Sequence, residues 1–332
     1  MTILVTGGAG YIGSHMVHEL VDAGEPVVVL DNLSTGFRFL IPAAVPFVAG
    51  STGDRDLVTK TIARYGVTAI IHFAASIVVP DSVSDPLGYY RNNTMNTCTL
   101  LDAAVEAGVK QFIFSSTAAV YGNAERTPVR EDAATLPISP YGSSKLMSEI
   151  MLHDAGKAHG LRFVVLRYFN VAGADPKLRT GQSTSAATHL IKVACEAALG
   201  KRPKIDIYGT DYPTPDGTCI RDYIHVSDLA RAHSAALAHL RRGGDSATFN
   251  CGYGRGSSVL EVIDSVRRVS GRDFPVEICG RRAGDPSALV ANVDRIRSRL
   301  IWQPQYQDLD TIVAHAYAWE RQLSGKHKTA TA

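Results

Sequence analysis

Five cysteines in 332 residues, at positions 98, 195, 219, 251 and 279, are an odd number, and none forms a Cys-x-x-Cys pair. This usage excludes a disulfide framework and a thiolate zinc knuckle, and it fits a reducing compartment. Excess charge of one sign is also missing: 34 Lys and Arg stand against 32 Asp and Glu, a net charge of +2. Without a basic run, nothing in the charge argues for a nucleic-acid partner. No uncharged apolar stretch reaches the roughly 18 residues of a spanning helix, so no membrane partner is expected. An apolar strand reads from Thr2 onward. That leaves no room for a signal peptide ahead of it, and the expected location is the cytoplasm. The histidines are scattered and lack ligand spacing, so no metal is expected. His72 and His225 lie in apolar strands and read as hydrogen-bonded core residues.

Glycine is plentiful, and its placement is informative. Thr6 to Gly13 reads TGGAGYIG, after a short apolar strand and before Ile12, Met16 and Leu20 at helical spacing. In such a strand-turn-helix unit, Gly7 permits the tight turn, Gly10 lets a pyrophosphate approach the backbone, and Gly13 allows close packing of helix on strand. The helix N-terminus at Tyr11, Ile12 and Gly13 offers free N–H groups to that phosphate. Asp31 follows the next strand, Val27 to Leu30. An acid there accepts from ribose hydroxyls and repels a 2′-phosphate, which favours NAD over NADP.

Apolar runs at 46–49, 69–73, 111–115 and 162–166 alternate with helical stretches. This predicts an α/β fold with a doubly wound parallel sheet. The pattern loosens after Asn170. Cys219 to Val226 reads as one strand, with Asp228 capping a helix from Leu229 to about Leu240. The last helix carries Leu309, Ile312, Val313, Ala316 and Trp319 at core spacing, and a disordered tail is expected at 326–332.

Tyr141 and Lys145 are four residues apart and share one helix face. A free tyrosine, with a pKa of about 10, is a poor base at neutral pH. An adjacent ammonium together with a cationic nicotinamide is expected to lower that value. A Tyr-x-x-x-Lys pair alone is weak evidence. It gains meaning from Ser115, Ser116 and Thr117 at a strand's C-terminal end, where open α/β sheets place their ligands. The combination implies hydride chemistry on an alcohol carbon.

TGGAGYIGSH, DNLSTG, HFAA, SSTAAVYG, SPYGSSK, RYFNVAGA, DGTCIRDYIHVSDLA and RRAGDP together make the chain resemble the extended short-chain dehydrogenase/reductases, within them the UDP-glucose 4-epimerases. The resemblance runs to about Trp302. It implies a Rossmann-like NAD domain at 1–170 plus about 218–251, and a smaller, C-terminal substrate-binding domain for a nucleotide sugar at about 171–217 plus 252–325. It also implies a homodimer formed through helices around 90–108 and 142–158. Tyr141 takes the proton of the sugar 4-hydroxyl while the C4 hydride passes to NAD, Thr117 hydrogen-bonds that hydroxyl, and Lys145 holds the nicotinamide ribose. A 4-keto sugar turns over in the site and is reduced on its other face. Cofactor contacts are implied at Gly7, Gly10, Tyr11, Ile12, Gly13, Asp31, Asn32, Ser51, Phe73, Ala74, Ala75, Asn92, Ser115, Tyr141, Lys145 and Tyr168. UDP-hexose contacts are implied at Thr117, Tyr141, Asn170, Tyr208, Arg221, Tyr223, Arg282, Asp285 and Leu289.

Three positions depart from the family pattern. Ile77 stands where many members place a lysine on the NAD pyrophosphate, and Ser51 where an aspartate commonly meets adenine. Leu289 replaces a residue that limits the sugar pocket. The rival readings are a nucleotide-sugar dehydratase, decarboxylase or uronate epimerase, and a non-catalytic NAD-binding sensor. The dehydratases and decarboxylases usually carry an acid after the Ser/Thr position, where this chain has Ala118 and Ala119. The sensors usually lack the Tyr/Lys pair.

Overall fold

Short β-branched runs such as Val27-Val28-Val29 form strands because, in a parallel sheet, both faces are buried and every position can be apolar. In the computed structural model, which describes residues 1–184, 187–282 and 284–329, the strands are β1 (Thr2–Thr6), β2 (Val27–Asp31), β3 (Phe47–Ala49), β4 (Val67–His72), β5 (Gln111–Thr117), β6 (Arg162–Tyr168), β7 (Asn170–Ala172), β8 (Ile205–Tyr208), β9 (Ile220–Arg221), β10 (Tyr223–His225), β11 (Ala247–Cys251), β12 (Ser257–Ser258), β13 (Val276–Cys279) and β14 (Ala288–Leu289). The helices are α1 (Tyr11–Asp22), α2 (Arg55–Tyr65), α3 (Val79–Ser84), α4 (Pro86–Tyr89), α5 (Asn96–Glu106), α6 (Pro140–His159), α7 (Leu190–Ala198), α8 (Val226–Arg241), α9 (Val259–Ser270), α10 (Asp294–Arg299) and α11 (Leu309–Thr329). A π-helical turn, Tyr90–Met95, leads into α5.

Seven strands form one parallel sheet in the order β11-β6-β5-β4-β1-β2-β3. Successive side chains alternate between its faces. Ile3 and Val5 join Met16 of α1 and Leu229 of α8 in one core, whereas Leu4 joins Val58 of α2, Leu100 of α5 and Leu152 of α6 in the other. The strand order reverses between β1 and β4, and their C-terminal ends open the crevice in which such sheets bind ligands. This is the Rossmann-like doubly wound sheet that the sequence predicts. Smaller sheets pair β10 with β7, β13 with β8, and β9 with both β12 and β14. No helix among the described residues is long and apolar enough to cross a membrane.

Four details differ from the sequence reading. The run expected as one strand at 219–226 is two, broken at Asp222, whose buried carboxylate accepts from the N–H groups of Tyr253, Gly254 and Ala291. Helix α8 starts at Val226, capped by His225, whose Nδ1 accepts from Ser227 N at 3.1 Å. Asp228 is not the cap: it is buried and holds Tyr253 Oη, Gln305 N and Tyr306 N. Helix α11 continues to Thr329, beyond the expected start of the tail, and residues 330–332 lie outside those described.

His72 is a hydrogen-bonded core residue, between Thr6 Oγ1 at 2.6 Å and Thr97 Oγ1 at 2.9 Å. His225 is fully buried and bonds His315. Burial pulls His72 down to about 3, and His15 and His233 to about 4. Because these folded values lie below the ordinary 6.5, the unfolded chain takes up protons first on acidification. The stability of keeping these rings neutral is complete above about pH 6.5 and drains away toward about pH 4. Urea melts are therefore expected to lose on the order of 1–2 kcal/mol per histidine between neutral pH and about pH 5. Equal stabilities at the two pH values would mean that the three rings titrate normally.

Candidate active site

Residues 7–10 turn between β1 and α1, and two glycines make the turn possible. A Cβ on Gly7, whose φ is +69°, would lie 2.5 Å from Ala74 N, and one on Gly13 would lie 2.1 Å from Gly7 O. The turn, the helix and the Phe73–Ala75 segment after β4 are thus packed backbone against backbone. At Gly10 a Cβ would meet only Gly7 O, at 3.3 Å, so its outer side is open. Gly10 is the N-cap of α1 and supplies no side-chain cap. The N–H groups of Tyr11, Ile12 and Gly13 therefore have no helical acceptor, and the positive end of the dipole faces the opening.

Asp31, buried at the end of β2, spans this turn. Its Oδ2 accepts from Ala9 N at 2.9 Å and its Oδ1 from Leu33 N at 2.7 Å. Each oxygen keeps capacity for one more donor. A glycine cradle, an uncapped helix and a carboxylate with spare lone pairs fit a dinucleotide. Asn32 is exposed and holds Ser34 N, and Ser51 Oγ accepts from Gly53 N at 3.1 Å. On the other side of the crevice Asn92 Nδ2 donates to Ser76 Oγ, and Ile77 is 48% exposed.

Helix α6 starts sharply because Ser139 caps it and Pro140 occupies its first turn. Its inner stripe carries Tyr141 and Lys145, both buried, against the end of β5. Thr117 stands beside the Tyr141 phenol, and Lys145 Nζ donates to the Ser115 carbonyl at 2.9 Å. Ser115 Oγ donates to Tyr168 Oη at 3.0 Å. The structure therefore brings Ser115, Thr117, Tyr141, Lys145 and Tyr168 together. In the protein alone the phenol shifts the other way. Burial pushes the Tyr141 phenol far above its ordinary value, Tyr168 adds to this, and Thr117 opposes it. Lys145 is itself brought down to about 8 by burial, opposed by Glu149. From its place on the Ser115 carbonyl, Lys145 alone does not make Tyr141 a base.

The substrate-side candidates form two groups. Asn170 and Tyr223 are register partners in β7 and β10 and line a narrow cavity of about 30 Å³ with Tyr11. Tyr141 is not in that lining. The second group gathers around β8, β9 and β14. Arg282 lies over the Tyr208 ring at 4.2 Å, Asp285 approaches Arg221 at 3.5 Å, and Leu289 pairs in register with Arg221. Arg221 also donates to the carbonyls of Ile220 and Pro286. The sequence reading missed His189 and Gln182, which line the first cavity and bond each other at 2.8 Å. Neither belongs to a recognisable motif; only the start of the apolar helix after His189 marked the place.

The model of the NAD dependent epimerase/dehydratase family matches residues 3–252. The chain belongs to that family. Among its relatives, a UDP-glucose 4-epimerase of Azospirillum brasilense is 62% identical, over 97% of this chain and 92% of that protein. One from Halalkalibacterium halodurans is 48% identical, over 97% and 96%. The solved UDP-glucose 4-epimerase from Brucella ovis in complex with NAD superposes with a TM-score of 0.93 at 47% identity, covering 96% of this chain and 97% of that one. The UDP-Glc/GlcNAc 4-epimerase from Campylobacter jejuni does so with a TM-score of 0.86 at 49% identity, covering 97% and 99%. Membership in the NAD dependent epimerase/dehydratase family agrees with the cradle built from Gly7, Gly13 and Asp31.

Asp31→Asn tests the cradle. An amide must turn an N–H toward either Ala9 N or Leu33 N, which are both donors. The loss of a charge-assisted bond is worth about 1.5–3 kcal/mol, so NAD retained through purification should fall roughly tenfold or more. Unchanged NAD content, measured by mass spectrometry of denatured protein, would remove Asp31 from the cofactor site.

Proposed function

We propose that this protein is an NAD-dependent epimerase that interconverts UDP-glucose and UDP-galactose by inverting C4 of the sugar. The observation that carries the reading is the buried Tyr141 set beside Thr117 at the end of β5, with Lys145 one turn behind and the glycine cradle across the switch point. Tyr141 is the proton acceptor for the 4-hydroxyl, and Thr117 orients that hydroxyl. Lys145 supplies an ammonium to the cofactor ribose. Gly7, Gly10, Tyr11, Ile12, Gly13 and Asp31 hold NAD with Asn92, Phe73, Ala74 and Ala75. When bound, NAD supplies a reversible two-electron acceptor and the positive charge that Tyr141 lacks in the protein alone. Burial keeps bulk water from the phenol, and no acid follows Thr117 that could drive elimination of a leaving group.

Arg221 and Arg282 are assigned to the diphosphate, since planar guanidiniums make charge-assisted bonds to phosphate oxygens. Tyr208 is assigned to the uracil. Because Arg282 covers its ring, base stacking uses the free face or follows a swing of Arg282 toward phosphate. Asn170 and Tyr223 border the sugar side, and Asp285 holds Arg221 in place. We further infer the division into an NAD domain and a smaller substrate domain given above, and a cytoplasmic homodimer. Exposed Met95 beside α5, and Met147 and Ile150 on α6, support the pairing of those helices.

Incubation of the purified protein with UDP-galactose, without added NAD, should give UDP-glucose; no conversion in either direction would refute the assignment. Tyr141→Phe should lower kcat by roughly 10²–10⁴-fold with NAD content unchanged, because it removes the proton acceptor alone. Near wild-type turnover would exclude Tyr141 as the base.

Leu289, half-buried beside Arg221, is assigned to the wall near the C2 substituent. Leucine is smaller than tyrosine but larger than cysteine or serine. UDP-glucose and UDP-galactose are therefore the better pair, with slower turnover of the N-acetylated sugars. Leu289→Tyr should abolish the N-acetyl activity and largely spare the plain hexoses. Equal loss of kcat/KM on both pairs would assign Leu289 to the fold.

A further inference from the structure

Glu149 has no part in the reaction described above, yet it is buried beneath the reacting pair. Tyr141, Lys145 and Glu149 recur every four residues and share one stripe of α6. Each meets one of three consecutive residues at the end of β5. Tyr141 lies beside Thr117, Lys145 Nζ donates to the Ser115 carbonyl, and Glu149 Oε1 accepts from Ser116 Oγ. Arg167, the register partner of Ser116 in β6, closes on the same carboxylate with Nε at 3.1 Å and Nη2 at 2.6 Å. Its Nη1 donates to Tyr121 Oη at 3.0 Å, and that hydroxyl donates to Asn250, the register partner of Arg167 in β11. One carboxylate thus ties α6 to a row of residues across three strands, directly behind Ser115 and Thr117.

Lys145 makes no ion pair among the described residues; its ammonium lies on a carbonyl and over the Phe114 ring at 4.9 Å. The titratable and charged groups described around this strand end include Tyr141 and Glu149 on α6, Arg167 and Tyr168 on β6, His72 on β4 and Tyr121 after β5. The three phenols are neutral, His72 is an uncharged imidazole, and Arg167 has the same sign as Lys145. Glu149 is the only anion in this set.

We propose that Glu149 is a positioning residue of this active site: it grips Ser116 and Arg167, fixes the strand end that carries Ser115 and Thr117, and is the carboxylate that keeps Lys145 an ammonium. The proposal rests on the assignment of Tyr141 and Lys145 as the reacting pair. Burial draws Lys145 down to about 8, with Glu149 as the opposing influence. Removal of the Glu149 charge leaves burial and the unpaired Arg167 acting in one direction, so Lys145 loses its proton at lower pH.

The test is a pH titration of Lys145 by NMR in protein carrying lysine labelled with ¹³C at Cε, the resonance being assigned with Lys145→Arg. Glu149→Gln, which retains an oxygen for Ser116, should move the Lys145 midpoint down by about one pH unit, and the alkaline limb of kcat should move with it. A midpoint equal to that of the wild type in folded Glu149→Gln would overturn the proposal. If Glu149→Gln does not fold, Ser116→Ala decides, since it keeps every charge and cuts only the tie to β5. It should lower kcat about tenfold with KM changed less than about twofold, because the groups that bind UDP lie elsewhere. Wild-type kcat in Ser116→Ala would overturn the positioning role. The titration is read without substrate, so its failure leaves the epimerase reading untouched. Absence of epimerase activity, conversely, leaves the titration interpretable.

Discussion

Lys145 is an ammonium buried between α6 and the end of β5, where it donates to the Ser115 carbonyl at 2.9 Å. A buried charge costs several kcal/mol unless its surroundings replace water. Here a carbonyl, the Phe114 ring and a carboxylate one helical turn away do so. That bond holds α6 against the strand end, with Tyr141 beside Thr117, while the pairing of β5 with β6 brings Tyr168 to Ser115. The sheet order supplies the rest. With β4 and β1 parting at the switch point, the glycine cradle and the β5 end face one crevice. The glycine turn after β1 and the end of β5 thus lie on either side of β4, at one edge of one sheet.

Much of the sheet and of the cofactor side was legible in the sequence. Strands β1, β2, β4, β5 and β6 announce themselves as apolar runs because both of their faces are buried. The glycine turn could be read because close backbone contacts leave few choices of residue: at Gly7 and Gly13 a side chain would collide with Ala74 N and Gly7 O. Strand β11 did not stand out, since Ala-Thr-Phe-Asn-Cys is half polar and Asn250 serves the Tyr121 and Val129 bonds. Nor could spacing show that Asp228 points inward to Tyr253 and Tyr306 instead of capping α8. Its neighbours there are brought in from 25 to 78 residues away. The substrate side is harder still. Arg221, Asp285 and Leu289 meet through two-residue strands too short to leave a periodic signal, and only their resemblance to a known family located them beforehand.

The charge state of Tyr141 is a further property that the motif alone does not supply. Four-residue spacing placed Lys145 on the same stripe, but the lysine is engaged by Ser115 and the phenol is dry. The protein by itself holds Tyr141 protonated. In the proposed function, proton transfer to Tyr141 then depends on the cofactor's charge. Asp31 couples the sites in a related way. One carboxylate holds both Ala9 N in the glycine turn and Leu33 N beyond β2, so in the proposed function the shape of the cradle and the choice of ribose depend on the same group.

The central claim is that the hydrogen at C4 leaves and returns within one site while Tyr141 handles only the hydroxyl proton. Conversion of UDP-galactose in D₂O, without added NAD and followed by NMR of the product sugar, tests it most directly. The account predicts UDP-glucose whose C4 carries the original hydrogen and no deuterium. Deuterium at C4 would contradict it, because the C4 hydrogen would then have exchanged with solvent.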